Sequence, residues 1–233
     1  MSLQLYEHQN IALPELKRME QEGRGGFLAD SMGMGKTVTM VTHLMLNKIQ
    51  GKKDLIVCPL SLMKQWKREI KRVYKGYNKL KPRVLFFYGK NRIQKLKNKN
   101  WDFVITTYSV IGRGELDKKK WGRVVLDESH YIKNGIKSNR PKCTIAAFEI
   151  GKRSCYNWCV SATPFCNRIE DLASQCKFIG TFPYNNPEWW KKYCKDSEEM
   201  GQWSDKFVLR RTKENLIKPI NYHNIEVKQT EPE

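Results

Sequence analysis

The run Ala29-Asp-Ser-Met-Gly-Met-Gly-Lys-Thr37 restricts the fold of this chain more than any other stretch. An apolar, strand-like segment, Gly26-Phe-Leu-Ala29, leads into it, and a helix-like one, Val38-Thr-Met-Val-Thr-His-Leu-Met-Leu46, leads out. Strand, glycine-rich loop and helix in that order form the setting of a phosphate-binding loop. Gly33 and Gly35 free the backbone to wrap close to phosphate oxygens, so that amide N–H groups form an anion nest at a helix N-terminus. Lys36 then supplies positive charge to the outer phosphates of a nucleotide, and the Thr37 hydroxyl is suited to ligate magnesium. The general GxxxxGK[ST] pattern requires its first glycine at position 30, which is aspartate here, so the match is imperfect on that template alone.

Two further segments strengthen the reading. Val124-Val-Leu-Asp-Glu-Ser-His130 places Asp127 and Glu128 just past an apolar strand, 91 residues beyond Lys36 (127 − 36). In open α/β sheets that carboxyl edge is where ligands bind. Asp127 is expected to hold magnesium and Glu128 to act as general base on the attacking water. A lone Asp-Glu pair is more often a helix cap or a solvated turn; the upstream phosphate loop argues against both. Val160-Ser-Ala-Thr-Pro164 ends the last strand-like run and offers the hydroxyls of Ser161 and Thr163 near the same edge, although Ser, Thr and Pro also build ordinary turns.

The apolar runs Asp54–Cys58, Arg83–Phe87, Asp102–Thr106, Arg123–Leu126 and Tyr156–Val160 read as buried strands. Between the first two, Leu62, Trp66, Ile70 and Val73 recur at helical spacing. The alternation predicts an α/β fold with a central, mainly parallel sheet covered by helices on both faces. After Pro164 the chain turns helical and aromatic, over Asn167–Gly180 and again around Pro187–Lys195, predicting a helical C-terminal extension. Trp66 and the Trp189–Trp190 pair read as core packing.

A chain of 233 residues accommodates one large α/β domain with at most a small appendage. No apolar run approaches the roughly 18 residues of a membrane span, and the first residues lack a signal-peptide core. An intracellular protein that is neither secreted nor membrane-bound is therefore expected. Seven cysteines, an odd number without paired CxxC knuckles, argue against zinc and against a disulfide framework. Lys and Arg total 43 against 24 Asp and Glu, a formal charge of +19, which points to a polyanionic partner. Any single Lys-rich run, such as Lys90–Lys99, also fits a solvated helix face.

With these motifs in place, the chain resembles the N-terminal RecA-like lobe of superfamily 2 helicases, and within them the Swi/Snf-type DNA-translocating ATPases. That family's phosphate loop usually reads Asp-Glu-Met-Gly-Leu-Gly-Lys-Thr. Asp30 is then expected, and Ser31 and Met34 are the departures. The resemblance implies that Asp30, Ser31, Met32, Gly33, Met34, Gly35, Lys36 and Thr37 surround ATP with Mg2+, and that Gln9, in Leu5-Tyr-Glu-His-Gln9, contacts adenine. Asp127-Glu-Ser-His130 resembles a DEAH box with Ser129 for Ala, in which His130 couples the γ-phosphate site to Ser161 and Thr163. Lys36 and Glu128 are the catalytic residues so implied. Cys58–Trp66 is similar to motif Ia and Ile105–Tyr108 to motif Ib, and these imply sequence-independent contacts to duplex DNA from Ser61, Lys64, Thr107 and Asn134. Such contacts make binding strongly dependent on salt. Phe207–Lys213 is similar to the signature that ends the first lobe, and Asn167–Leu172 with Phe178 and Trp189–Trp190 is nearest to the post-replication-repair branch.

On this resemblance, residues 1–221 form the ATP-binding lobe and residues 222–233 a linker toward a second RecA-like lobe. The 69 residues after Pro164 (233 − 164) are too few to hold that lobe. It supplies the arginine finger, so weak or no hydrolysis is expected of this lobe alone until a second lobe joins it in cis or in trans. Alternatives from other classes are a basic nucleic-acid-binding scaffold without turnover and an RNA helicase lobe. The expected location is the nucleus, or a cytoplasmic replication site for a viral protein.

Overall fold

A computed structural model of the chain describes residues 3–23, 25–97, 100–132, 139–163 and 170–212. The helix α1 (Glu7–Glu22) leads into β1 (Gly25–Leu28), and the glycine loop follows, opening α2 (Lys36–Leu46). Then come β2 (Asp54–Val57), a 3₁₀ turn (Leu60–Leu62), α3 (Met63–Gly76), β3 (Val84–Phe86), α4 (Arg92–Lys97), β4 (Phe103–Thr106) and α5 (Tyr108–Ile111). The strand β5 (Trp121–Asp127) runs into a second 3₁₀ turn (Ser129–Tyr131). The remaining elements are α6 (Lys142–Gly151), β6 (Ser154–Val160), α7 (Glu170–Ile179), α8 (Pro187–Tyr193), α9 (Ser197–Phe207) and the short β7 (Val208–Leu209).

The strands form one seven-stranded sheet in the order β3-β4-β2-β5-β6-β1-β7, and every pairing is parallel. Parallel strands are covered on both faces, and side chains alternate between those faces. Leu55 and Val57 of β2 accordingly join one core layer, and Ile56 and Cys58, the residue just past the strand, join the other. The layer with Ile56 is closed by Leu16 of α1, Met40 and Leu44 of α2, and Trp66, Ile70 and Val73 of α3, all almost wholly buried. The layer with Leu55 is closed by Ile111, Ala147, Leu172, Trp190, Trp203 and Phe207. Both Trp189 and Trp190 lie in that core, as their sequence context implies. The mostly parallel α/β sheet expected from the strand and helix alternation is the fold observed.

Register carries the fold into function. Within β5, β6 and β1, which are adjacent, Asp127 pairs with Val160 and Val160 with Leu28. The three motif-bearing loops thus leave neighbouring strands at the same level of the sheet's carboxyl edge. The strand β5 is longer than its apolar run suggests, because Trp121 and Asp127 continue the ladder at its two ends.

The opposite pole of the sheet holds a buried polar knot. Glu20 of α1 accepts from Arg123 Nε at 2.6 Å, from Arg123 Nη2 at 2.7 Å and from Trp158 Nε1 at 2.9 Å. His43 Nε2 lies 2.9 Å from the same carboxylate, and Arg123 also donates to the carbonyl of Asn47 at 2.7 Å. Although burial alone raises the Glu20 pKa, the hydrogen bonds from Arg123 and His43 outweigh it and bring the carboxyl down to about 2. The knot ties α1, α2, β5 and β6 together.

Candidate nucleotide-binding site

The glycine loop is shaped by backbone requirements that its sequence meets. Gly33 and Gly35 take φ values of 82° and 77°, a region that penalises side chains bearing a β-carbon. At Gly35 a β-carbon would also lie 2.4 Å from Gln9 Nε2, so the residue is constrained twice over. Lys36 opens α2, and its ammonium donates to the carbonyls of Asp30 (2.7 Å) and Ser31 (3.2 Å). Burial lowers the pKa of Lys36, while the charges of Asp30, Glu128 and Asp127 pull it back up. Thr37, one residue on, lines the same cleft as Lys36, Asp127 and Glu128.

Gln9 sits in the first turn of α1, nearly fully buried, and bridges two elements. Its Oε1 accepts from the Tyr6 N–H at 3.1 Å, and its Nε2 reaches the Met34 carbonyl at 3.4 Å. With Tyr6, Gly33, Gly35, Val38 and Arg72 it lines a cleft beside the glycine loop. Met32 is exposed at the loop tip, whereas Met34 is buried beneath it.

Asp30 explains the departure from the general glycine pattern. Its carboxylate is fully buried and clamped by Arg211, which donates to it through the guanidinium and through its backbone N–H. The Arg211 side chain also reaches the carbonyl of His8, and the Arg211 carbonyl accepts from the Ser31 N–H at 3.0 Å. A glycine at position 30 would leave Arg211 without its carboxylate. Asp30 therefore anchors the loop through its side chain and meets Lys36 through its carbonyl. No local signal in the sequence links Arg211 to Asp30, since the two residues lie 181 positions apart and no spacing rule joins them.

The carboxylate pair is built differently on its two members. Asp127 is 6% exposed and accepts from Trp66 Nε1 at 2.7 Å. Burial raises its pKa to about 6, with the neighbouring Glu128 charge adding to the effect and the indole hydrogen bond opposing it. The Tyr108 hydroxyl donates to the Asp127 carbonyl at 2.8 Å. Glu128 turns the chain out of β5 at φ 55° and ψ 52°, a left-handed conformation that is uncommon for a residue other than glycine. Its Oε2 lies 3.4 Å from both Ser161 Oγ and His130 Nδ1. Ser161 Oγ in turn accepts from the Thr163 N–H at 3.2 Å. Glu128, His130, Ser161 and Thr163 thus occupy one continuous patch, and His130 Nδ1 is buried without a hydrogen-bond partner among the described residues.

The residues expected at a nucleic-acid face are distributed unevenly. Ser61 is exposed on the first 3₁₀ turn and lines the same cleft as Lys36 and Glu128; Lys64 is exposed one turn further along. Thr107 is buried, its hydroxyl 3.0 Å from Ser109 Oγ. Asn134 and residues 222–233 lie outside the described residues. Besides Arg211, Tyr108 and Gln175 were missed. Gln175, on α7, accepts from Ser129 Oγ at 2.6 Å, so the serine that stands for the usual alanine is fully buried and paired.

Comparison with known proteins is decisive at the level of family: a profile described as the SNF2-related domain matches residues 8–231. The chain belongs to that family. This SNF2-related chain is 30% identical over 240 residues to the probable global transactivator of Orgyia pseudotsugata multicapsid polyhedrosis virus, covering 95% of this chain and 45% of the viral protein. It is 30% identical over 272 residues to the DNA repair protein RAD5B of Arabidopsis thaliana (91% and 21%) and 28% identical over 266 residues to transcription termination factor 2 of Drosophila melanogaster (93% and 24%). Among solved structures it is similar to the Sulfolobus solfataricus SWI2/SNF2 ATPase core in complex with dsDNA, with a TM-score of 0.76, 28% identity, and coverage of 91% of this chain and 45% of that one. The chain spans less than half the length of each of these proteins.

Proposed function

We propose that this chain is the ATP-binding lobe of a DNA-dependent ATPase that translocates on duplex DNA in repair or in remodelling of protein–DNA complexes. The observation that carries the reading is the convergence of the glycine loop, Asp127-Glu128 and Ser161-Thr163 at one edge of three adjacent strands. The residues present suit ATP and magnesium. Two positive-φ glycines at the start of an 11-residue helix make an amide cradle for phosphate. Thr37 and Asp127 offer the hard oxygen donors that magnesium takes. When bound, magnesium neutralises charge on the outer phosphates.

The side chains divide the remaining work. Lys36 is poised to exchange its two carbonyl partners for phosphate oxygens. Glu128 stands on the solvent side of Asp127, free of any strong partner, and accepts the proton of the attacking water. His130 and Ser161, both against Glu128 Oε2, sense its position and pass it to the segment after β6. Gln9 is placed for the base, in the cleft beside Gly35. A second RecA-like lobe, in cis or in trans, completes the site with the positive charge that the transition state requires. The SWI2/SNF2 neighbour was solved with dsDNA, which supports duplex DNA as the partner here, contacted from the Ser61 and Lys64 end of α3. Activity on DNA places the protein in the nucleus, or at a cytoplasmic replication site if it is viral.

The test is ATPase activity of the chain paired with a second RecA-like lobe, with and without duplex DNA, beside a Glu128→Gln variant. DNA should stimulate the wild type, and the variant should retain nucleotide binding while losing roughly 10²–10⁴-fold in turnover. Equal rates in the two proteins, or indifference to DNA, would sink the proposal.

A further inference from the structure

The far end of α3 carries a second feature that the nucleotide site does not use. Lys71, Lys75, Asn78, Lys79 and Lys81 line one open groove, and Lys79 and Lys81 continue into another with Lys48, Arg83 and Asp102. Lys71, Lys75, Lys79 and Lys81 are exposed, and none of the four makes an ion pair among the described residues. The nearby carboxylates are already engaged. Asp102 holds Lys48 at 3.0 Å and Arg83 at 3.6 Å and accepts from the Arg83 N–H, and Glu69 holds Arg72 at 2.7 Å. Lys71 and Lys75 stand one helical turn apart, an arrangement of like charges that weakens an isolated helix. The α3 dipole favours Lys75, in the last turn, but gives no reason for the other three.

The Arg83 and Asp102 end of the groove lies at the opposite edge of the sheet from the ATP motifs, since these residues immediately precede β3 and β4 whereas Asp127 ends β5. Along α3, Lys75 is eleven residues from Lys64, roughly 16 Å at 1.5 Å per residue. We infer that this groove is a second nucleic-acid site, binding the phosphate backbone of a DNA segment separate from the one contacted near Ser61 and Lys64. The inference rests on the DNA-dependent reading above. A backbone fits the groove because four unpaired ammonium groups need only a run of phosphates, without base recognition. A membrane surface fits less well, because Leu80 is the single strongly exposed apolar side chain among the groove residues.

The experiment measures duplex-DNA affinity across a salt series for the wild-type chain, a Lys71→Gln/Lys75→Gln/Lys79→Gln/Lys81→Gln variant and a Lys64→Ala variant. Each phosphate deprived of its lysine should flatten the log–log salt slope by about 0.9, so the fourfold variant should lose about 3–4 of slope and at least tenfold in affinity at low salt. The same reduction should appear in the Lys64→Ala background. An unchanged slope in the fourfold variant while Lys64→Ala weakens binding overturns the second site and leaves the DNA reading intact. No effect from either variant overturns both. Loss of binding to phosphatidylserine vesicles with DNA affinity unchanged would assign the groove to a lipid surface instead and overturn the proposal.

Discussion

Two buried carboxylates at opposite poles of one sheet have been pushed in opposite directions. Glu20 is met by a bidentate guanidinium, an indole N–H and an imidazole, and its pKa falls to about 2. Asp127 is met by one indole N–H, with Lys36 nearby turned toward loop carbonyls, and its pKa rises to about 6. Burial is heavy at both. The difference is whether the fold itself supplies the partners of the charged form. Where it does, the carboxylate is structural; where it leaves the group short of partners at a cleft, the site is arranged for something that arrives from outside.

The sharpest way to break this comparison is to remove Glu20. Glu20→Ala leaves Arg123 buried without its counter-ion and should destabilise the domain by about 3–5 kcal/mol, read as a lowered midpoint in denaturant unfolding. A Glu20→Met/Arg123→Met double variant should recover only part of that stability, because apolar side chains replace the buried pair at little cost but Trp158 Nε1 and His43 Nε2 lose their shared acceptor. Glu128→Gln, at the other pole, should leave the midpoint within about 0.5 kcal/mol of wild type. A small effect at Glu20 would show that the knot is not what fixes α1 to the sheet.

The second prediction turns on pH. Glu20, with a pKa lowered from 4.5 to about 2, contributes stability that is present above pH 4.5 and lost as pH falls toward 2. Asp127 has the opposite sign. With its pKa raised from 3.8 to about 6, the folded protein holds more protons than the unfolded chain between those values, so its penalty grows as pH rises and is complete above about 6. Asp127→Asn removes that penalty. The variant should match wild type near pH 4 and exceed it by up to about 3 kcal/mol at pH 7, while losing magnesium-dependent turnover. A stability difference that does not vary with pH would mean that Asp127 is not desolvated in the folded chain.

The two poles were not equally legible in the sequence. The carboxyl edge announced itself because the glycine loop, Asp127-Glu128 and Ser161-Thr163 are each contiguous, and each follows an apolar run that became β1, β5 or β6. The helix face of Leu62, Trp66, Ile70 and Val73 was legible for the same reason: its spacing is local, and three of its four residues are fully buried. The Glu20 knot was not, since its members lie 103 and 138 residues apart and become neighbours only after the sheet has formed. The clamp of Arg211 on Asp30 was hidden likewise. Only the Gln9 end of the long helix α1 is legible in the sequence, because the internal Pro14 and its mixed charges obscure its periodicity. Trp66 was half legible: its apolar face placed it in the core, but nothing local showed that its one polar atom faces Asp127.

That indole supplies the smallest expected effect and the finest test of the contrast. Trp66 spans both roles, with its ring in the core beside Ile70 and its N–H on the carboxylate of the candidate magnesium site. Trp66→Phe keeps most of the apolar volume but removes the donor, and a hydrogen bond to a charged group contributes about 1.5–3 kcal/mol. Part of that loss should appear as stability and part as proton affinity, because burial then acts on Asp127 with less opposition. The low-pH limb of magnesium-dependent ATPase activity, measured on the chain paired with a second RecA-like lobe, should therefore move upward by about 1 pH unit. A purely structural tryptophan would lower the unfolding midpoint and leave that limb in place. Movement of the limb would show that α3, which presents Lys64 at its exposed face, also sets the charge state of the carboxylate beside Lys36.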